Sequence, residues 1–293
     1  MIRELKTLIA VAQEGTFAAA GAKIGLTQAA VSAQMQRLEG ELGFVIFERK
    51  GRTARLNSAG RQILAQARDL IRLYNNLGSA SVDLASPVLV KIGSIASAQR
   101  SLLPDALAKF HRQSPKCRTH VVPGLSLDLI NQVDAGELDL AITLRSPFSL
   151  QNDLRWTTLT REPFRLLVPG KTKGHDWSEI LSTLPFIRYD RSSFGGRLVD
   201  RFLRNMHFPL HEVCEVDELE AIVKLVANGV GVALVPQTAT YRRWPASVRA
   251  INLGEHTFYR EVGLVHRTSR HLSEPVKQLA DLIVAIFQSV PKK

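Results

Sequence analysis

Two cysteines in 293 residues are too few for a disulfide-stapled scaffold. Cys117 and Cys214 lie far apart and match no metal-ligand spacing, so they read as reduced, mostly buried thiols. Long apolar runs are scarce as well. No stretch approaches the roughly 18 consecutive apolar residues of a membrane span, which excludes a membrane partner by that route. The apolar run at residues 8–12 is too short for a signal peptide and no cleavage site follows it, so a cytoplasmic protein is expected. Of the histidines, His111 and His120, His207 and His211, and His266 and His271 form no set with acidic partners at ligand spacing. A nucleophile elbow and a phosphate-binding glycine loop are both missing. No catalytic residue, metal or cofactor is therefore expected, and the chain does not read as an enzyme.

What the chain has in excess is positive charge: 38 Lys and Arg against 27 Asp and Glu, a formal net charge of +11. Such a balance suits an anionic partner. It does not locate one, because residues 1–86 hold 11 basic against 7 acidic side chains and residues 87–293 hold 27 against 20. The length allows two or more domains, each with its own core.

The first 60 residues are more specific. Leu5, Leu8, Ile9 and Ala12 recur at helical spacing. Gly15 ends that helix, and Thr16 caps a second, short helix over residues 17–24. Gly25 supplies a tight turn, and Thr27 caps a third helix that buries Ala30, Val31, Met35 and Leu38. Two short helices crossing steeply need small side chains where their backbones approach, which Gly21 provides. This spacing is the sequence form of a helix-turn-helix, whose second helix enters the DNA major groove; an unrelated helical hairpin remains open at this point. Val45 and Phe47 then alternate into a basic tip, Arg49, Lys50 and Arg52, followed by Arg55 and Leu56. Two short strands joined by such a tip form a wing whose cations would lie against phosphates or dip into the minor groove.

Together these motifs resemble the N-terminal winged helix-turn-helix of the LysR-type transcriptional regulators. Over about 60 residues the family pattern is kept at Gly15, Phe17, Ala20, Gln28, Ala30, Val31, Ser32, Leu38, Glu39, Leu42, Gly43, Phe47, Arg49, Leu56 and Gly60. Gly21, Ala29 and Asn57 depart from the usual alanine, proline and threonine, and Ala33 stands where many members carry an arginine. The resemblance implies a double-stranded DNA partner. The residues nominated to meet it are Gln28, Ala29, Ser32, Gln34 and Gln36 on the recognition helix, Arg37 for a phosphate, and Arg49, Lys50 and Arg52 in the wing.

Residues 58–84 read as one long helix with Ile63, Ala67, Leu70, Tyr74, Leu77, Ser81 and Leu84 on a heptad seam. A helix packing on its own domain could show the same stripe. A seam pairing two subunits would set two recognition helices on neighbouring half-sites, and the resemblance likewise implies a dimerising linker, with tetramers common.

Beyond residue 87, strands and helices alternate, which argues for parallel α/β structure in two lobes with a cleft between them. The expected strands include VLVKIGS, CRTHVVPG and LDLAIT, with one helix running from about residue 98 to 113. Ligands of such folds bind outside the carboxyl ends of strands, against helix N-termini. The side chains at those ends are Ser94, Ala96, Ser97, Leu125, Ser126, Thr143, Arg145, Ser192, Ser193 and Phe194, a set rich in hydroxyls that favours a small carboxylate or other anion. Arg145 is nominated as a bidentate carboxylate clamp. The family resemblance extends here through GELDLAI and LVANGVGVALVP, implying a periplasmic-binding-protein-like effector domain, with Ser97 at the hydroxyl position that often touches effector.

The expected organisation is thus a winged helix-turn-helix at residues 1–60, a dimerisation helix at 61–86 and a two-lobed α/β effector domain at 87–293. Its first lobe spans about 87–163 and 264–293, its second about 164–263. The expected function is a homodimeric or homotetrameric transcriptional regulator whose DNA binding responds to a small effector. A cytoplasmic binding protein or enzyme built on the two-lobed domain is the alternative.

Overall fold

The computed structural model describes residues 1–48, 53–80, 88–151, 153–208, 210–239, 243–268 and 272–288, without the side chains of 72 and 75–80. Two compact units divide the chain, one built from residues 1–86 and the other from the bulk of residues 87–293.

The first unit is helical. Helix α1 (Ile2–Glu14) ends at Gly15 in the left-handed conformation, and α2 (Phe17–Ile24) starts on Thr16, whose hydroxyl accepts the Ala19 N–H at 3.1 Å. Gly25, at φ 72°, turns the chain into α3 (Gln28–Leu42), capped by Thr27 through the Ala30 N–H at 3.2 Å. A side chain at Gly21 would bring its Cβ within 2.5 Å of the Leu26 carbonyl oxygen, so the turn between the helices closes only over glycine. Val31, fully buried, fills the wedge beside Ala20, Leu8 and Leu38.

The strands that follow are short: Phe47 bridges Leu56 in antiparallel fashion and the Glu48 N–H reaches Arg55 O at 2.8 Å. The Glu39 carboxylate at the end of α3 accepts the N–H groups of Ile46 and Phe47, at 2.8 and 3.3 Å, tying the wing's base to the third helix. Asn57 does the work of a cap for α4 (Ser58–Ala80): Oδ1 accepts the Gly60 N–H at 2.8 Å, and Nδ2 donates to Val45 O at 2.7 Å. On α4, Ala67 and Ile71 are buried in this unit's core, whereas Leu70, Leu73 and Tyr74 are exposed. The heptad seam therefore divides, its first part packing within the unit and its next turns facing outward. The Leu77 side chain, Ser81 and Leu84 lie outside what is described.

In the second unit β1 (Val88–Ser94) pairs in parallel with β2 (Cys117–Pro123) and β3 (Leu140–Leu144). The helix expected over residues 98–113 is instead two, α5 (Ala96–Gln99) and α6 (Leu103–Gln113). Pro104 sits in the first turn of α6, where its missing N–H costs nothing; inside a continuous helix it would leave the Arg100 carbonyl unbonded and clash with it. Helix α7 (Ser126–Ala135) leads into β3, and β4 (Leu154–Pro169) follows as a 16-residue strand. The rest of the order is α8 (Trp177–Thr183), β5 (Phe186–Tyr189), α9 (Phe194–Met206), β6 (Glu212–Val216), α10 (Leu219–Ala227), β7 (Ala233–Pro236), β8 (Val248–Ile251), β9 (Tyr259–Arg267) and α11 (Glu274–Gln288).

The sheet is mixed, not parallel throughout. Strand β9 runs antiparallel to β3 and β4, and β4 runs antiparallel to β7 and β8. Alternation along the sequence could not reveal this, because the reversal comes from two long strands that cross between lobes. One core gathers Leu154 and Leu159 of β4 with β1, β3 and α11; a second gathers Phe164, Leu166, Leu167 and Val168 of the same strand with β5, β7 and α10. Each lobe thus has its own core, with β4 and β9 as the shared crossing. Cys117 and Cys214 are unpaired and only half-buried. Among the described residues no helix is long and apolar enough to cross a membrane.

Candidate functional sites

Along α3, Gln28, Ala29, Ala33, Gln36 and Arg37 are exposed and Ser32 is half-buried. Gln28, Ser32 and Gln36 recur every fourth residue, so they form one stripe. That stripe lines a concave surface with Thr16, Ala18 and Thr53. The sequence reading did not nominate the last three; Thr16 was legible only as a cap. Gln34 is directed elsewhere, because its Oε1 accepts the Thr7 hydroxyl of α1 at 2.5 Å. Arg37 remains mostly exposed, 3.7 Å from Glu4. Arg49, Lys50 and Arg52 lie outside the described residues.

In the second unit, a cleft of about 270 Å³ opens between the lobes. Of the nominated residues, Ala96, Ser97, Leu125, Ser126, Ser193 and Phe194 line it. The N-termini of α7 and α9 face it through Ser126 and Phe194, where free N–H groups favour negative charge. Ser193 caps α9, its Oγ accepting the Gly196 N–H at 3.0 Å, and Ser126 Oγ accepts the Leu144 N–H at 3.0 Å.

The other nominees stand apart. Ser94 is fully buried and donates to Ile95 O at 3.2 Å. Leu144 faces the cleft, so strand alternation turns Thr143 into the interior; Arg145 follows the end of the strand. Arg145 pairs with Glu261 at 2.8 Å and borders an adjoining depression, beside Arg197 and Arg201, that shares Leu144, Phe194 and Arg260 with the cleft. Ser192 is exposed and hydrogen-bonded to Asp190 at 2.6 Å.

The charged centre of the cleft is Arg260, on β9. Its side chain is 1% exposed; Nε donates to Glu162 at 2.6 Å and Nη2 donates to Ser97 Oγ at 3.0 Å. Burial opposes its charge, but Glu162 and the Tyr189 hydroxyl more than offset that and hold the guanidinium protonated. Tyr189 lines the cleft too, its hydroxyl pushed above the usual phenol range by burial against the opposing pull of Arg260. Asp217 and Glu218 complete this wall. Tyr189 ends β5 and Asp217–Glu218 follow β6, so the strand-end rule that found the serines also reaches them. Arg260 could not be found that way, since it sits near the start of an antiparallel strand.

A helix-turn-helix unit and a two-lobed unit with a polar cleft, in one chain, define a DNA-binding regulator with a substrate-binding domain. The family model described as "Bacterial regulatory helix-turn-helix protein, lysR family" matches residues 2–61, and "LysR substrate binding domain" matches residues 89–288. The chain belongs to the LysR family of transcriptional regulators. It is 29% identical over 248 residues to the regulator IlvY of Escherichia coli (strain K12), covering 80% of this chain and 82% of that protein. A full-length OxyR variant from Pseudomonas aeruginosa shares the fold at 24% identity and a TM-score of 0.58, covering 98% of both chains. So does the full-length regulator CbnR complexed with its target DNA, at 20% identity and a TM-score of 0.54, covering 97% of this chain and 98% of that one. These relatives are regulators and not enzymes, which removes the enzymatic alternative.

Proposed function

We propose that this regulator acts in the cytoplasm as a homodimer or homotetramer and reads double-stranded DNA with α3 and the basic wing. A small effector carrying an oxyanion binds its inter-lobe cleft and changes that DNA binding. The observation that carries the effector reading is the buried Arg260 guanidinium joined to the Ser97 hydroxyl on the cleft wall, with the N-termini of α7 and α9 beside it. Exposed Leu70, Leu73 and Tyr74 on α4 support a pairing surface between subunits. The CbnR complex, titled as bound to target DNA, supports the DNA partner. Lobe closure over the effector then alters packing between subunits and the spacing of their DNA-binding heads.

Titrating the full chain against the DNA upstream of its own gene tests the DNA half. Arg52→Ala removes one phosphate contact, so affinity falls on every sequence and the salt-dependence slope drops by about 1. An unchanged slope removes Arg52 from the interface. Gln28→Ala behaves differently, relaxing discrimination by about 1–3 kcal/mol at particular base pairs and leaving the slope alone. A selection from randomised operators reads that change; uniform weakening would make Gln28 a backbone contact.

A further inference from the structure

The charges lining the cleft are not all of one kind. Arg260 is balanced from behind by Glu162 at 2.6 Å, so its attraction for an anion is local and partly neutralised. Glu218 is engaged by Arg100 at 2.6 Å and accepts the Glu220 N–H at 3.3 Å. Asp217 is in a different position. The groups acting on it are the carboxylates of Asp190 and Glu218 and the hydroxyl of Ser193; burial first, then Asp190, pushes its carboxyl above the ordinary range. A cleft that binds a purely anionic effector would bring a further negative charge toward this carboxylate. A ligand cation beside Asp217, which is exposed to the cleft, would instead offset its like-charge neighbours Asp190 and Glu218.

Size and lining narrow the choice. About 270 Å³ lies at the lower edge of the roughly 300–1,000 Å³ usual for small-molecule sites, so the ligand has few atoms. Between the charged groups the walls are apolar, from Ile95, Leu125, Leu144, Phe194 and Leu219.

We infer that the effector is a small zwitterion, an α-amino acid with an apolar side chain or a close analogue. Its carboxylate meets Ser97 and Arg260, and its ammonium group meets Asp217. This rests on the reading of the cleft as the effector site, and it adds a requirement for positive charge that an anion site does not have.

The full-length protein is tested by calorimetry and thermal unfolding with three matched sets of probes. These are L-alanine, L-valine and L-leucine; propionate, isovalerate and isocaproate, which lack the amine; and ethylamine, isobutylamine and isoamylamine, which lack the carboxylate. At least one amino acid is expected to bind about tenfold or more tighter than its matching acid and amine, and to raise the unfolding temperature. Asp217→Asn removes an exposed carboxylate facing like charges, so it folds at least as stably as the parent. It is expected to erase the advantage of amino acid over acid. Ser97→Ala weakens amino acid and acid alike.

Equal or tighter binding of the acids to the parent protein overturns the zwitterion and leaves the anion reading standing. Binding of the amines alone, or of none of the three sets, overturns both. An amino-acid advantage that survives Asp217→Asn removes Asp217 from the site and with it the inference.

Discussion

Replacing Arg260 with alanine is expected to destabilise the second unit by about 3–5 kcal/mol, because it leaves the Glu162 charge buried without its partner. The side chains of the pair are 1% and 10% exposed, and the guanidinium also holds Ser97 and Tyr189. Urea unfolding followed by far-UV circular dichroism would show the second unit melting at a lower midpoint. The double replacement Arg260→Met with Glu162→Leu separates charge from packing. It should recover most of the lost stability, since removing both members of a buried pair is often neutral or favourable. It should still abolish the effector response, since the Ser97 hydroxyl has lost its anchor. An Arg260→Ala variant with the parent's midpoint would mean that water reaches the pair.

Gly21→Val is expected to abolish DNA binding on all sequences. The added Cβ would sit 2.5 Å from the Leu26 carbonyl oxygen, a backbone atom in the turn that cannot swing aside, while the Leu26 N–H is held to Gly21 O at 2.8 Å. Overpacking of this kind costs about 1–3 kcal/mol. Relief comes by pushing α3 away from α2, which displaces Gln28, Ser32 and Gln36 together. Gly25 provides the contrast. Nothing lies within 4 Å of a Cβ there, so Gly25→Ala carries only the left-handed backbone penalty of about 1–2 kcal/mol. Gly25→Asn, which tolerates that conformation, should bind DNA nearly as the parent does. Gel shifts on the upstream DNA compare the three, with far-UV circular dichroism as the check that each variant is folded. Parent-like DNA binding by Gly21→Val would mean the turn opens without cost.

The DNA-binding unit was legible almost residue by residue. Its signals are local: Thr16 and Thr27 cap the helices they precede, Gly25 turns where glycine is needed, and Val31 is buried where helical spacing puts it. Gln34 shows the limit. Its spacing allowed it on the reading face, but a partner 27 positions away, Thr7, turned it to α1. The cleft was legible in part for the same reason. Serines at strand ends announce helix caps and open backbone N–H groups, and Ser97, Ser126 and Ser193 do line it. Strand alternation turned Thr143 into the interior, and Arg145 is taken up by Glu261 at 2.8 Å.

By itself, then, the sequence determined the helix-turn-helix, its caps and turn, the family, and the division into a DNA-binding and a ligand-binding part, because each rests on contacts within a few residues of chain. Tertiary structure decided the chemistry of the cleft. Arg260 meets Ser97 across 163 positions only because β9 returns antiparallel between β3 and β4 and carries a cation from one lobe to the wall of the other. No local pattern encodes that register, since it is set by how two separate cores share their crossing strands.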